Sequence, residues 1–265
     1  MKRQVHPWWV LTVLCTVLFF YGFYLGGVQL VISEVSRTYG QNSAGMGALV
    51  AAQHIAAVVL PVVLGVLADR IGKKPVLCIF AAIFALGCFL AGLSQSLGVY
   101  VIGAVCVGAG YSVCESVSSA VLSELDDEKG ARYINLSQAM LSLGAVISPF
   151  LVQWMQKSRH ASWRLPFLIC AAAYTLLALL LLMTAFPKRQ SIAHERSRTR
   201  TNFFASRAFR LLFFSILLYV GLENGISYFA ESLFSDQLSA GSLAAAAISA
   251  YWIGMTVSRM LFSAV

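Results

Sequence analysis

Two carboxylates stand where carboxylates are rare: Glu115 and Glu223 each lie inside a long apolar stretch. A charged side chain at the centre of a bilayer costs at least ~2.5–3.5 kcal/mol on insertion scales, so an acid there is a functional candidate by default. Leaving water penalises the ionised form of a carboxyl, and a group that changes protonation state readily is what a proton carrier needs. The plainer alternative is a structural carboxyl hydrogen-bonded to a neighbouring helix. Amides occupy similar positions: Gln29, Gln53, Asn135, Gln138 and Asn224, with His54 beside Gln53. An amide offers both donors and an acceptor, which suits a hydroxyl-rich solute. The same groups could equally be interhelical polar contacts, worth ~0.6 kcal/mol on average. Tyr228 and Trp252 could stack on the apolar face of a sugar ring. Cys15, Cys78, Cys88, Cys106, Cys114 and Cys170 all fall in apolar runs without metal-ligand or redox spacing, and read as small buried helix residues. No segment gathers His, Asp and Glu as an enzyme would, so neither an enzyme, a metal site nor a cofactor is expected.

The elements that position these groups follow from composition. Hydrophobic residues make up 59% of the 265 residues, charged residues 11%, and the mean hydropathy is +0.78. That excludes an ordinary soluble domain. Eight apolar spans are predicted, at about 8–32, 44–67, 76–94, 99–122, 134–155, 165–186, 209–234 and 242–262. All should be helices, because lipid offers no partner for a backbone amide and the runs are too long for barrel strands. Met1-Lys2-Arg3 followed by an apolar run imitates a signal peptide. The run from Trp8 to Val31 is too long for one, so it is read as the first transmembrane helix.

Counting Lys and Arg orients the chain. A cytoplasmic N-terminus puts fourteen of them on one side, among them Arg70, Lys73, Lys74, Lys129 and Arg132, against Arg37, Lys157, Arg159 and Arg164 on the other. The net charge of +8 is therefore the positive-inside bias of a plasma-membrane protein, not a nucleic-acid footprint. Arg259 falls at the cytoplasmic end of the eighth span. Trp8, Trp9, Trp154 and Trp163 are expected at the interfaces. Residues 65–75 should form a tight aqueous turn, with four charges between Asp69 and Lys74. The polar, basic stretch 188–208 reads as a cytoplasmic linker between a six-helix bundle, 1–187, and two further helices, 209–265.

The chain also repeats itself. Gly22-Phe23-Tyr24-Leu25-Gly26 in span one matches Gly221-Leu222-Glu223-Asn224-Gly225 in span seven, 199 residues later. Ser43-Ala44-Gly45 and Ser239-Ala240-Gly241 follow them at an offset of 196. Spans one and seven start on the same side, so the repeat is parallel, as in two-halved secondary transporters.

Gly65-x-Leu67-Ala68-Asp69-Arg70-x-Gly72-Lys73-Lys74 closely resembles the signature between the second and third helices of the major facilitator superfamily, Gly-x-Leu-Ala-Asp-Arg-x-Gly-Arg-Lys. The resemblance implies an all-α polytopic membrane protein: a six-helix N-terminal bundle plus the first two helices of a second bundle. It implies a cytoplasmic gate at Gly65, Asp69, Arg70, Gly72, Lys73 and Lys74, in which Asp69 meets a second-half helix and the basic residues form ion pairs. Glu124, Asp126, Asp127 and Glu128 could supply partners. Drug–proton antiporters of the superfamily carry an Arg four residues before a Gly-x-Gly in the fourth helix. Here Ala104 precedes Gly108-Ala109-Gly110, and in the fifth helix Ser148 replaces the second Gly of Gly-x-x-x-Gly-Pro. Glu115, Asn135-Leu136-Ser137-Gln138 and Tyr219-Val220-Gly221-Leu222-Glu223 instead look like the fucose, galactose and glucose symporter branch.

The expected function is secondary transport of a small polar solute, with a sugar as the expected cargo and protons as the coupling ion. Proton or substrate work is assigned to Glu115, Glu223, Asn224, Gln29, Gln138 and Asn135. Drug or metabolite efflux, or a non-transporting membrane protein, are the alternatives. Because the superfamily plan has twelve spans, the chain is further expected to be a piece of a longer reading frame.

Overall fold

The computed structural model describes residues 6–126, 128–159, 162–186 and 206–263, with the backbone alone at 59, 61–70, 159, 236, 259, 262 and 263. Among the described residues the chain folds into eight α-helices: α1 Pro7–Thr38, α2 Ser43–Ile71, α3 Lys73–Gly92, α4 Leu97–Ser123, α5 Gly130–Arg159, α6 Leu165–Met183, α7 Arg207–Ser232 and α8 Ala244–Ser263. Seven of them are long and apolar enough to cross a membrane; in α2 the described apolar stretch, Ser43–Val58, is shorter. Helices α1, α2, α4 and α5 outrun the predicted apolar spans at both ends, because a helix continues past the hydrocarbon into the polar interface. Local signals start several of them: Pro7 and Pro166 at first-turn positions, and the Ser96 and Ser206 side chains accepting from Val99 N and Phe209 N.

The predicted turn at 65–75 is corrected. α2 stays helical through Ile71 and α3 begins at Lys73, so the connection is Gly72 alone. Gly72 has φ +96°, a region side-chain-bearing residues rarely enter, and this permits a one-residue reversal. The side chains of Asp69 and Arg70, and that of Arg259, lie outside the described residues, as do Asp127 and most of the 188–208 linker.

Neighbours in sequence are not the main neighbours in space. α1 packs on α5 and α6, α3 on α4 and α6, and α2 on α4. Small residues make these seams. A Cβ on Gly22 would strike the Leu141 carbonyl, and one on Gly26 the Ala145 carbonyl. Pro149 inside α5 has no amide to return to Ala145, which leaves that carbonyl facing α1. On the other side, Ile79, Leu86 and Phe89 of α3 and Leu176, Leu179 and Met183 of α6 are exposed apolar stripes, as a lipid-facing surface requires. Trp8, Trp9 and Trp154 are exposed, but Trp163 is buried among Tyr39, Tyr100 and Phe167, with the Arg164 guanidinium 4.5 Å from its ring centre. Its indole completes an aromatic cluster where an interfacial ring was expected.

The end at which α1 begins, here called the basic end, is clamped by lysines acting on helix carbonyls. Lys74 Nζ donates to the carbonyls of Leu182 and Thr184 at 2.7 and 2.8 Å, closing the C-terminus of α6. Lys73 donates to the Ala120 carbonyl at 3.0 Å and pairs with Glu124 at 2.6 Å. Asp126 accepts from the Glu128 and Lys129 amides ahead of α5. Desolvation opposes its ionisation, but those amides and the Lys129 ammonium outweigh it and hold the carboxyl below the usual carboxylate range.

Candidate functional site

Three polar layers cross the middle of the bundle. Nearest the basic end, Gln138 Nε2 of α5 donates to Glu115 Oε1 of α4 at 3.1 Å. Each residue lies eight positions from the end of its helix, about 12 Å along the axis. Both side chains are half-buried, so the pair is reachable yet held in an apolar frame. In the middle, Tyr21 of α1 and Tyr111 of α4 stack with centroids 4.4 Å apart. His54 bridges onward, 6.5 Å from the Tyr111 ring and 6.1 Å from Tyr228 of α7.

The layer toward the opposite end holds two buried amides. Gln29 is 1% exposed and its Oε1 accepts from Trp252 Nε1 of α8 at 2.9 Å. Gln53 Oε1 accepts from the Tyr24 hydroxyl at 2.9 Å. Gln53 reaches this layer because Gly108 lets α4 lie directly on its backbone.

The other sequence candidates are placed differently. Asn224 donates to the Val220 carbonyl of its own helix at 2.9 Å. Asn135 is exposed, one turn before Gln138. Glu223 is half-buried in mid-α7, and its backbone carbonyl receives the Ser227 hydroxyl. The structure thus joins Glu115 to Gln138 and Gln29 to Trp252, while Asn135 and Asn224 stand apart from both pairs. Of the residues expected in a gate, Lys73 and Lys74 are engaged with α4 and α6, Gly72 lies between α2 and α3 and Gly65 within α2; the side chains of Asp69 and Arg70 are outside the described residues.

Exposure along α7 is uneven. Every residue from Ser206 to Leu222 is exposed, whereas Ser227 and Tyr228 are buried. α8 is likewise buried at Ala244, Ala245, Ile248, Ser249 and Trp252, and Ser249 donates to the Val146 carbonyl at 2.8 Å. The last two helices therefore meet the six-helix bundle near the end opposite the basic one and part from it toward the basic end.

Sequence reasoning missed a second polar region. A cavity of about 410 Å³ at the end opposite the basic one is lined by Glu34, Arg37, Gln153, Gln156, Lys157 and Glu231, among others. Gln156 Nε2 donates to Glu34 Oε2 at 3.0 Å, and Ser235 donates to Glu231 Oε1 at 2.7 Å. Glu34 was passed over because the apolar run stops at 32 while α1 continues to Thr38. Its spacing to Arg37, one helical turn, was the available signal.

Residues 12–265 match the family model described as Major Facilitator Superfamily. Among curated proteins, the chain is 33% identical over 88 residues to "Multidrug resistance protein MdtL" of Vibrio parahaemolyticus, covering 33% of this chain and 22% of that protein. It is 28% identical over 197 residues to "Chloramphenicol resistance protein CraA" of Acinetobacter baumannii, covering 72% of this chain and 45% of that protein. The chain thus spans less than half the length of either. Among solved structures, it resembles the transporter FucP in the outward conformation, with a TM-score of 0.71, 18% identity, and coverage of 96% of this chain and 71% of that one. A bacterial homologue of the lysosomal transporter Spinster, inward-facing and unoccupied, gives a TM-score of 0.74 at 18% identity, covering 93% and 59%. At such identities the structures speak to the fold alone. With the helical bundle, its glycine seams and the near-complete family match together, the chain belongs to the Major Facilitator Superfamily.

Proposed function

We propose that the chain works in a secondary active transporter that moves a small polar solute, with a sugar as cargo, by alternating access, and that Glu115 carries the coupled proton. The observation that carries this reading is the Glu115–Gln138 hydrogen bond, which holds an acid between α4 and α5 inside an apolar bundle. An acid so placed can be reached by protons while its neutral partner Gln138 accommodates either protonation state, since an amide can donate or accept. The Lys and Arg distribution supports a cytoplasmic basic end in the plasma membrane. The separation of α7 from the bundle toward that end then corresponds to an inward-open arrangement. Glu223, Asn224, Gln29 and Asn135 are assigned to the solute path, and the residues around Gly72 to a gate that opens and closes at the basic end. The protein named as a proton:xylose symporter shares this fold and lends the cargo reading its direction.

A second reading, efflux of drug-like molecules, is favoured by the resistance proteins named above. Uptake of labelled D-galactose into proteoliposomes, with and without an imposed pH gradient, separates the two. The expected result is gradient-driven accumulation that falls about tenfold or more in Glu115→Gln, within the range for removing a positioned proton carrier. Gradient-driven extrusion of a cationic dye that depends on Glu115, with no sugar uptake, would replace the sugar by a drug-like cargo. Uptake indifferent to both the gradient and Glu115→Gln would reject the proton role.

A further inference from the structure

Where α1 hands over to α2, at the end opposite the basic one, lies a second, smaller cavity of about 160 Å³. Its chemistry differs from that of the 410 Å³ cavity beside it, where Glu34 and Glu231 stand with Arg37 and Lys157. Among the described residues no carboxylate lines the smaller cavity, and Arg37, which borders both, is its one charge. Around it stand Ser33 and Ser36 of α1, Ser43 of α2 and Ser232 of α7. Ser36 is 4% exposed, yet its Oγ has no hydrogen-bond partner among the described residues. A buried hydroxyl left so carries its whole desolvation penalty. Ser33, equally buried, reaches the Met46 sulfur at 3.8 Å, a weak acceptor that a stronger one would displace. α2 starts at the same wall: Asn42 Oδ1 accepts from the Gly45 amide at 2.9 Å, and the Asn42 carbonyl from Met46 at 2.8 Å. The aligned peptides of this 29-residue helix put partial positive charge at its start.

We propose that this cavity binds one small monovalent inorganic anion, of which chloride is the type, with Arg37 as counter-charge and the Ser36 and Ser33 hydroxyls as donors. A guanidinium, a helix start and an unspent hydroxyl each favour negative charge, and here they border one space. A single Arg matches a single negative charge. The nearby carboxylates do not take the place, since Glu34 accepts from Gln156 and Glu231 from Ser235 in the larger cavity. The five donors of a guanidinium let Arg37 serve the anion and that cavity together. A water would satisfy Ser36, but only an anion also gains from Arg37 and the α2 dipole. The anion is held apart from the Glu115–Gln138 pair and from the buried amides. The inference therefore goes beyond the transport reading and stands or falls separately from it.

The test is chlorine NMR line broadening, with thermal unfolding, of the detergent-solubilised full chain in sodium chloride balanced by sodium gluconate at constant ionic strength. Saturable broadening and a rise in melting temperature are expected over the same range of chloride concentration, because a ligand that binds only the folded state stabilises it. Arg37→Gln should abolish both. Ser36→Ala should move the half-saturation point about tenfold upward, the worth of one hydrogen bond to a charged acceptor. In gluconate alone, Ser36→Ala should melt at or above the unaltered protein, since it removes an unpaired hydroxyl. A purely structural serine would lose stability in both salts. Lys157→Gln makes the same charge change in the larger cavity and should leave the half-saturation point where it was. Broadening that never saturates, or one that Ser36→Ala leaves unaltered, overturns the inference and gives the cavity to water, whether or not Arg37→Gln folds. A Lys157→Gln effect as large as that of Arg37→Gln also overturns it, in favour of diffuse screening.

Discussion

Helices α1 and α7 carry the same glycine spacing and, in the parallel repeat, the same position, but their surroundings are opposite. α1 is buried along most of its length, and its Gly22 and Gly26 lie directly on the α5 backbone. α7 is buried only at Ser227 and Tyr228, and a Cβ on Gly221 or Gly225 would meet nothing within 4 Å. Spacing makes a smooth helix face, and a partner helix makes it a seam. Without water to expel from between them, membrane helices gain from close packing itself, so a small-residue face contributes only where something lies on it.

The sharpest break of this contrast is a matched pair of substitutions. Gly22→Leu drives a side chain into the Leu141 carbonyl, a backbone group that cannot rotate aside. The expected cost is about 3 kcal/mol or more, at the upper end of overpacking effects, read as a large drop in thermal stability of the detergent-solubilised protein. Gly221→Leu should stay within about 0.5 kcal/mol of the unaltered chain. An equal loss from both would mean that the α7 face is packed in the folded protein.

A second pair sharpens the contrast through hydrogen bonding. Gln29 on α1 is tied across to α8 by the Trp252 indole. Trp252→Phe leaves the buried Gln29 oxygen unpaired and is expected to cost about 1–3 kcal/mol. Adding Gln29→Leu should recover part of that loss, since an orphaned acceptor is worse than none, and a double-mutant cycle on thermal unfolding measures the recovery. Purely additive losses would mean that the indole acts by packing alone.

The helices were legible in the sequence because hydrophobic runs of membrane length admit one structure. The ends were less so: hydropathy marks where lipid stops, whereas α1 runs on to Thr38 and carries Glu34 into a polar cavity. Gly72 was recognised as a motif residue, but its role as the whole α2–α3 connection depends on a positive φ that composition does not encode. Glu115 and Gln138 were each singled out, yet nothing in a separation of 23 residues says that two helices bring them to 3.1 Å. Gln53 and Tyr228 were noticed for their types. That α2 and α7 bring them together is a property of the packing, and no spacing rule reports it.

The smallest expected effect reverses sign between the two helices. Asn224 of α7 lies three residues after Gly221, beside Glu223, the repeat counterpart of Tyr24, and its amide donates back to Val220 within α7. Such a bond competes with the helix more than it supports it. Asn224→Ala should therefore raise stability by about 0.5 kcal/mol, the difference in helix propensity. Tyr24→Ala, in the packed copy of the motif, removes a ring wedged edge-on between Phe84 and Phe167 and the donor that holds Gln53, so it should destabilise strongly. Thermal unfolding of the two variants side by side measures both signs. A loss of stability in Asn224→Ala would mean that the amide serves a contact beyond its own helix, and the contrast between α1 and α7 would narrow accordingly.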